Sequence, residues 1–412
     1  MKLLKSTLSY SNIVDNHKLI LLIGYLGLFI TIFQMCYFHD HTMWDSFFFG
    51  QGNDHFMDFF NHVAYCEVPE KVYFQSYHAC FPAFSYLFFY FINRLLPSGA
   101  VTMFHANDTT GYAYVVYLVY VVIFIVLFSY EVMFFLKDYK PSFSLIIEIQ
   151  LLLSYSFVAG VFERGNICLI VLVSLVLAVY LKQKESTFFK ELALLLIAFS
   201  TGLKVYPAIF ALIYLTEHRY KEVLRLSFYI VVINLLPFAF FGGTTGLIQF
   251  FLNQMQLHTS YASSFSLFYT LNDLICLFGF SEAVSKVSSS LILGILLFLT
   301  IVGIFKAKDT YLKFILLVSI MVLFPLWSGL YTIAYFAIPL LIYLRDEKCL
   351  TPINIFMDVL FGLIFTSINF YLPFVNVNGI NIVCIGAVYI LYFLSLILAF
   401  KNVSYDMIEE NY

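Results

Sequence analysis

Apolar residues run along this chain in long blocks, and polar residues collect between them. A helix needs about 20 mostly apolar residues to cross a hydrocarbon core. Blocks of that length, or somewhat shorter, lie near 19–38, 112–136, 143–161, 166–181, 189–203, 205–217, 226–241, 288–305, 310–327, 330–344, 353–373 and 381–400. They predict an all-α polytopic transmembrane helical bundle of about twelve spans. It forms one integral membrane domain over 1–412, with both termini on the same side. The two blocks flanking Lys204-Val205-Tyr206-Pro207 are short and can be half-length helices meeting at a polar centre. No small-residue cleavage site follows the first block, so it reads as an uncleaved helix.

Two segments break the apolar pattern. The first spans 39–111, and its stretch from His39 to His78 concentrates groups that a bilayer rejects. Asp40, Asp45, Asp54, Asp58, Glu67 and Glu70 lie there, with five of the nine histidines. Polar groups beside so much lipid are costly and point to function. Within this segment, 81–96 is apolar but short for a span. Counting it as one would invert everything downstream, so it is expected along the interface as an amphipathic or re-entrant helix. The second segment, 242–287, is rich in Ser, Thr, Gln and Asn. Its apolar part, Phe265 to Phe280, is interrupted by Asn272 and Asp273 and is expected on the surface.

Composition adds a limit. The chain is 62% hydrophobic and 11% charged, against about 25% charged for a soluble domain. No basic patch or stripe suggests a nucleic-acid partner. Lysine and arginine set orientation. With the termini inside, 17 of 22 fall on the cytoplasmic side, and Lys71, Arg94, Arg164, Lys204 and Lys286 remain outside. Both polar segments then face outward across a cell membrane. The seven cysteines show no metal-ligand spacing. Cys66 and Cys80 share the first outer segment, and whether they pair is open.

Four small groups of residues carry chemistry. Phe56, Phe59, Phe60 and Val63 recur at helical spacing, and His55, Asp58 and His62 occupy another face. An interfacial helix would bury the rings and lift Asp58 toward water. A carboxylate there suits a general base, but so does a plain solvated face. Asp54 competes for the same role. His55, Asp58 and His62 can also ligate a divalent ion, though their spacing is not specific; no cofactor is required by the sequence. Glu163-Arg164-Gly165-Asn166 forms a tight outer turn whose arginine matches phosphate oxygens. Lys204, beside a helix-breaking proline, can neutralise a phosphate or snorkel to headgroups. A base with two cations is what transfer from a lipid-linked phosphate sugar needs. His55, His62, Asn166 and Tyr206 are the further residues expected to contact substrate.

In their order along the chain these features resemble the multispanning GT-C glycosyltransferases, and among them family 87. The resemblance rests on Asp58-Phe59 in the first outer loop and on Phe81-Pro82-Ala83-Phe84-Ser85-Tyr86-Leu87-Phe88. It continues through Arg164-Gly165-Asn166, Leu203-Lys204-Val205-Tyr206-Pro207 and Pro325-Leu326-Trp327-Ser328-Gly329-Leu330-Tyr331. It covers about 20–345. A second proline beside Pro82 and a histidine in the late loop, both expected of the family, are absent. The resemblance implies a polyprenyl-phosphate-sugar donor, a loop aspartate as base and inversion at the anomeric carbon. The acceptor would be a glycolipid or a surface polysaccharide precursor. The donated sugar would be a hexose such as mannose, or a pentose. Two other readings are an oligosaccharide-repeat polymerase, which relies on outer arginines, and a lipid-linked sugar flippase or transporter. A transferase should gather Asp58, Arg164 and Lys204 at one cavity. A transporter should show a path through the bundle.

Overall fold

The computed structural model describes residues 17–38, 55–105, 108–260, 266–347, 351–366, 371–372, 377–378 and 381–409. In chain order the helices are α1 (Lys18–Phe38), α2 (Met57–Tyr65), α3 (Val72–Gln75), α4 (Ala83–Leu95), α5 (Gly111–Phe135) and α6 (Pro141–Leu153). They continue with α7 (Cys168–Lys182), α8 (Thr187–Leu203), α9 (Ala211–Thr216), α10 (Tyr220–Leu235), α11 (Gly243–Ser260) and α12 (Leu267–Leu277). The last five are α13 (Glu282–Lys306), α14 (Thr310–Leu323), α15 (Ala337–Asp346), α16 (Pro352–Ile364) and α17 (Gly386–Glu409). The described strands are a two-residue antiparallel pair, Tyr371–Leu372 against Val377–Asn378. The fold is all-α, as the periodicity predicts.

Four helical stretches are long and apolar enough to cross a membrane: Gly111–Phe135, Tyr220–Ala239, Glu282–Lys306 and Val383–Lys401. A fifth arises if α6 and the π-helix Ser156–Glu163, bent by 62° at Ser154, count as one span. The other apolar blocks form shorter helices, including Cys168–Lys182, Thr310–Leu323 and Pro352–Ile364. Several blocks break for local reasons. Ser154 turns its hydroxyl back on Leu151 O at 2.6 Å, where α6 stops. Proline at 207 lacks the donor a helix interior needs, and the chain there runs as a 3₁₀ turn, Tyr206–Phe210, before α9. The break expected at Lys204 is present, with Lys204 extended; the piece after it, Tyr206–Thr216, is short, but α8 before it runs 17 residues and is not half-length.

Packing separates inner from outer helices. Nearly every side chain of α7 and α14 is buried, the mark of a helix surrounded by others. By contrast α5, α10 and α13 expose Leu118, Phe228 and Phe298 among many apolar groups. Such continuous apolar surface is unsuited to water and fits lipid. The protein is a membrane protein on this ground. The short apolar run at 81–96 becomes α4, which starts after Pro82. Ala83, Ser85, Tyr86 and Phe89 are its buried residues. Ser85 Oγ donates to Leu203 O at 2.6 Å, tying α4 to the end of α8 immediately before Lys204. Ser85→Ala leaves that buried carbonyl without this donor, at a cost of about 1–3 kcal/mol. A drop of a few degrees in the unfolding temperature of the detergent-purified protein is the expected result; an unchanged temperature contradicts the role given to this bond.

Candidate active site

The site begins where α2 meets the turn at 163–166. The first amides of a helix lack partners within it. Here the turn supplies acceptors: Phe56 N–H donates to Glu163 O at 2.6 Å and Asp58 N–H to Arg164 O at 3.0 Å. Gly165 has a φ of +70°, and a Cβ there would lie 2.9 Å from Phe59 Cβ and 3.0 Å from Phe56 O. Glycine is needed both for the left-handed turn and for the close approach. Phe56 is itself left-handed, with φ 60°.

This start corrects the expected helix face. The helix opens at Met57, so His55 lies before it and Phe56 turns it aside. His55 Nδ1 lies 2.8 Å from Glu163 Oε1. His62 is also not on a solvated face: it is buried, stacked on Phe81 with centroids 3.9 Å apart, and within 3.1 Å of the Tyr86 hydroxyl. Burial pushes His62 down to about 3, Asp58 opposes, and Lys204 and His78 push it further down. It is neutral near pH 7. The ring stripe packs on protein: Phe59 lies 5.1 Å from Tyr117 and Phe60 5.2 Å from Tyr114.

Asp58 is one-fifth exposed and held at both oxygens. Arg164 Nη2 lies 2.5 Å from Oδ1, and Asn166 Nδ2 donates to Oδ2 at 2.8 Å. Asn166 Oδ1 accepts from Cys168 N–H at 3.1 Å, at the start of α7. That bond fixes which end of the amide faces the carboxylate. Burial pushes the Asp58 carboxyl up, but Arg164, then Asn166, Lys204 and His62, bring it below its ordinary value. Asp58 is thus an ionised carboxylate at neutral pH, turned toward a cavity rather than toward open water.

The cavity has a volume of about 560 Å³, within the range of about 300–1,000 Å³ for small-molecule sites. Asp58, Arg164 and Asn166 line it on one side, and Trp327 and Tyr331 from the late loop on another. Lys204, expected at the same cavity, is not among its lining side chains and lies behind two of them. It is 6% exposed, with its ammonium 3.9 Å from the Phe81 ring centre and 5.1 Å from the Tyr331 ring centre. Both rings line the cavity. Segments far apart in sequence, around residues 58, 81, 164, 204 and 327, therefore meet at one place.

Other expectations fare differently. Tyr206 is not among the cavity-lining side chains; its hydroxyl lies 3.0 Å from that of Tyr335. Asp54, with Asp40 and Asp45, lies outside the described residues. Cys66 and Cys80 are both free thiols, so the pairing left open by the sequence is not made. Among the described residues no three His, Cys, Asp or Glu side chains are grouped to hold a metal ion. His55 and His62 point to separate partners and do not converge on Asp58 as ligands. Asn61, His78 and Trp327 also line the cavity and were given no role at the site from sequence. Asn61 carried a signal in its position one helical turn after Asp58, and Trp327 in the late loop that resembles the family.

An apolar helical bundle that gathers an ionised carboxylate and an arginine at one cavity has the parts of a membrane enzyme. The profile of glycosyltransferase family 87 matches residues 80–329, more than half of the chain, and the chain belongs to that family. It is a glycosyltransferase. No curated protein and no solved structure gives a match.

Proposed function

We propose that the enzyme transfers a hexose such as mannose, or a pentose, from a polyprenyl-phosphate carrier to a glycolipid or surface polysaccharide precursor. Transfer takes place on the outer face of the cell membrane, within a twelve-span topology whose termini are cytoplasmic. The segments 39–111 and 242–287 form the outer loops. The acceptor hydroxyl attacks the anomeric carbon and its proton passes to Asp58. The new carbon–oxygen bond forms as the bond to the phosphate oxygen breaks, and polyprenyl phosphate leaves with the electron pair. Attack opposite the leaving group inverts the anomeric centre. Arg164 and Lys204 stabilise charge developing on the phosphate.

The observation that carries this reading is the pairing of an ionised Asp58 with Arg164 at one cavity, with Lys204 behind the lining rings of Phe81 and Tyr331. The lysine supports it most directly. Among the described residues its ammonium lies against the two rings and within the field of Asp58, with no carboxylate in ion-pair contact. A buried ammonium with no carboxylate in contact is costly, and an incoming phosphate would supply an anionic acceptor. Lys204→Gln should therefore lower kcat/KM for the donor by about 10–100-fold, the worth of a hydrogen bond to a charged group. Steady-state rates in proteoliposomes at varied donor concentration test this. A near-normal kcat/KM removes Lys204 from the phosphate site and leaves it a snorkelling anchor.

A further inference from the structure

We infer that Arg164 serves two anions in turn: the arriving donor phosphate draws it off Asp58, and this exchange releases Asp58 to act as the base. The inference rests on the reading of Asp58 as base and Arg164 as phosphate ligand given above. Its ground is the unequal hold on the two carboxylate oxygens. Oδ1 is bound by Arg164 and Oδ2 by Asn166. Asn166 cannot leave easily, because its amide oxygen also serves the first amide of α7 and it is buried. Arg164 has a long side chain that lines the cavity and is about one-fifth exposed. Its backbone carbonyl accepts from Asp58 N–H, so the turn stays in place whichever anion the guanidinium meets.

Among the described residues that line the cavity, Asp58 is the one carboxylate and Arg164 the one lysine or arginine. A sugar–phosphate–lipid diester carries one negative charge and brings a second anion within reach of that arginine. A guanidinium presents a fork that suits two phosphate oxygens. Once it turns, Oδ1 loses its counter-ion while Oδ2 stays on Asn166. Oδ1 is then the oxygen open to the acceptor hydroxyl. Asn166 is a positioning residue, keeping the carboxylate aimed during the exchange. Burial by itself raises the Asp58 carboxyl, and Arg164 is the foremost group holding it down. The base therefore strengthens only when donor is bound, which guards against idle proton abstraction.

The test is binding of a non-hydrolysable polyprenyl phosphodiester sugar analogue to the full chain in nanodiscs. It compares wild type, Asp58→Asn, Arg164→Ala and the double variant. If carboxylate and phosphate contend for Arg164, Asp58→Asn binds the analogue about tenfold more tightly, and the gain vanishes without the arginine. An equal gain in both backgrounds means simple repulsion through space and overturns the exchange, as does no gain at all. Should Arg164→Ala fail to accumulate, Arg164→Lys replaces it. A point charge cannot fork the phosphate, so the gain shrinks there too, and an undiminished gain overturns the proposal. Absence of wild-type binding overturns the donor reading itself, and the exchange with it.

A second readout is kinetic. A base works when ionised, so activity falls as pH drops through its pKa. The acid limb of kcat/KM reports the free enzyme and that of kcat the loaded enzyme. With acceptor saturating and donor varied, the kcat limb should lie at higher pH. Coincident limbs contradict the exchange.

Discussion

Asp58→Asn lowers the turnover number by about 10²–10⁴-fold, the usual worth of a positioned general base, and leaves the protein folded in the membrane. Asparagine keeps an oxygen for Asn166 and has nearly the same shape, so the hydrogen bond at Oδ2 can persist. What disappears is the charge that takes the acceptor's proton. The measurement is transfer rate at saturating donor and acceptor, beside the elution profile of the purified variant. Asp54→Asn is the necessary companion, since Asp54 precedes the same helix by only a few residues. A near-normal rate for Asp58→Asn with a dead Asp54→Asn moves the base to Asp54. Normal rates for both remove the carboxylate mechanism.

Gly165→Ala should be nearly as damaging, although residue 165 supplies no chemical group. A left-handed backbone costs a non-glycine residue roughly 1–2 kcal/mol. The new methyl would also meet Phe59 Cβ at 2.9 Å, and Phe59 is fully buried among rings that cannot withdraw. The turn must then move off α2. That shift breaks the bonds from Phe56 and Asp58 amides and displaces Arg164 and Asn166 together. Misplacement by about 1 Å is enough to cost about 10²-fold in rate. Transfer assays and thermal unfolding of the purified variant check both halves. A wild-type rate would show that the turn tolerates a side chain and that its fit against α2 is not what sets the site.

Much of this arrangement was legible in the sequence, and the boundary of what was not has physical causes. Apolar blocks mark helices because lipid tolerates little else, and nearly every block is a helix or a broken one. The polar anomaly after His39, the Arg164 turn and Lys204 stood out because charge beside lipid is rare. Periodicity separates the Phe59 face of α2 from the Asp58 face, but it cannot say what covers each. His62 was expected in water and lies against Phe81, because α4 folds back over that face. His55 was expected on the helix, but the left-handed Phe56 ends the period one residue too soon. Lys204 against Phe81 joins residues 123 apart, and no local pattern encodes such a contact. Trp327 and Tyr331 reach the cavity for the same reason. The late loop was singled out only by its resemblance to a family.

The central claim is that this cavity transfers a sugar from a polyprenyl-phosphate carrier. Its most direct test gives the reconstituted wild-type protein a panel of labelled sugars on polyprenyl phosphate, on polyprenyl diphosphate and as nucleotide sugars, with a crude glycolipid fraction as acceptor. The predicted result is label in the acceptor from at least one polyprenyl-phosphate sugar, lost in Asp58→Asn. Transfer only from a diphosphate or nucleotide donor would contradict the account.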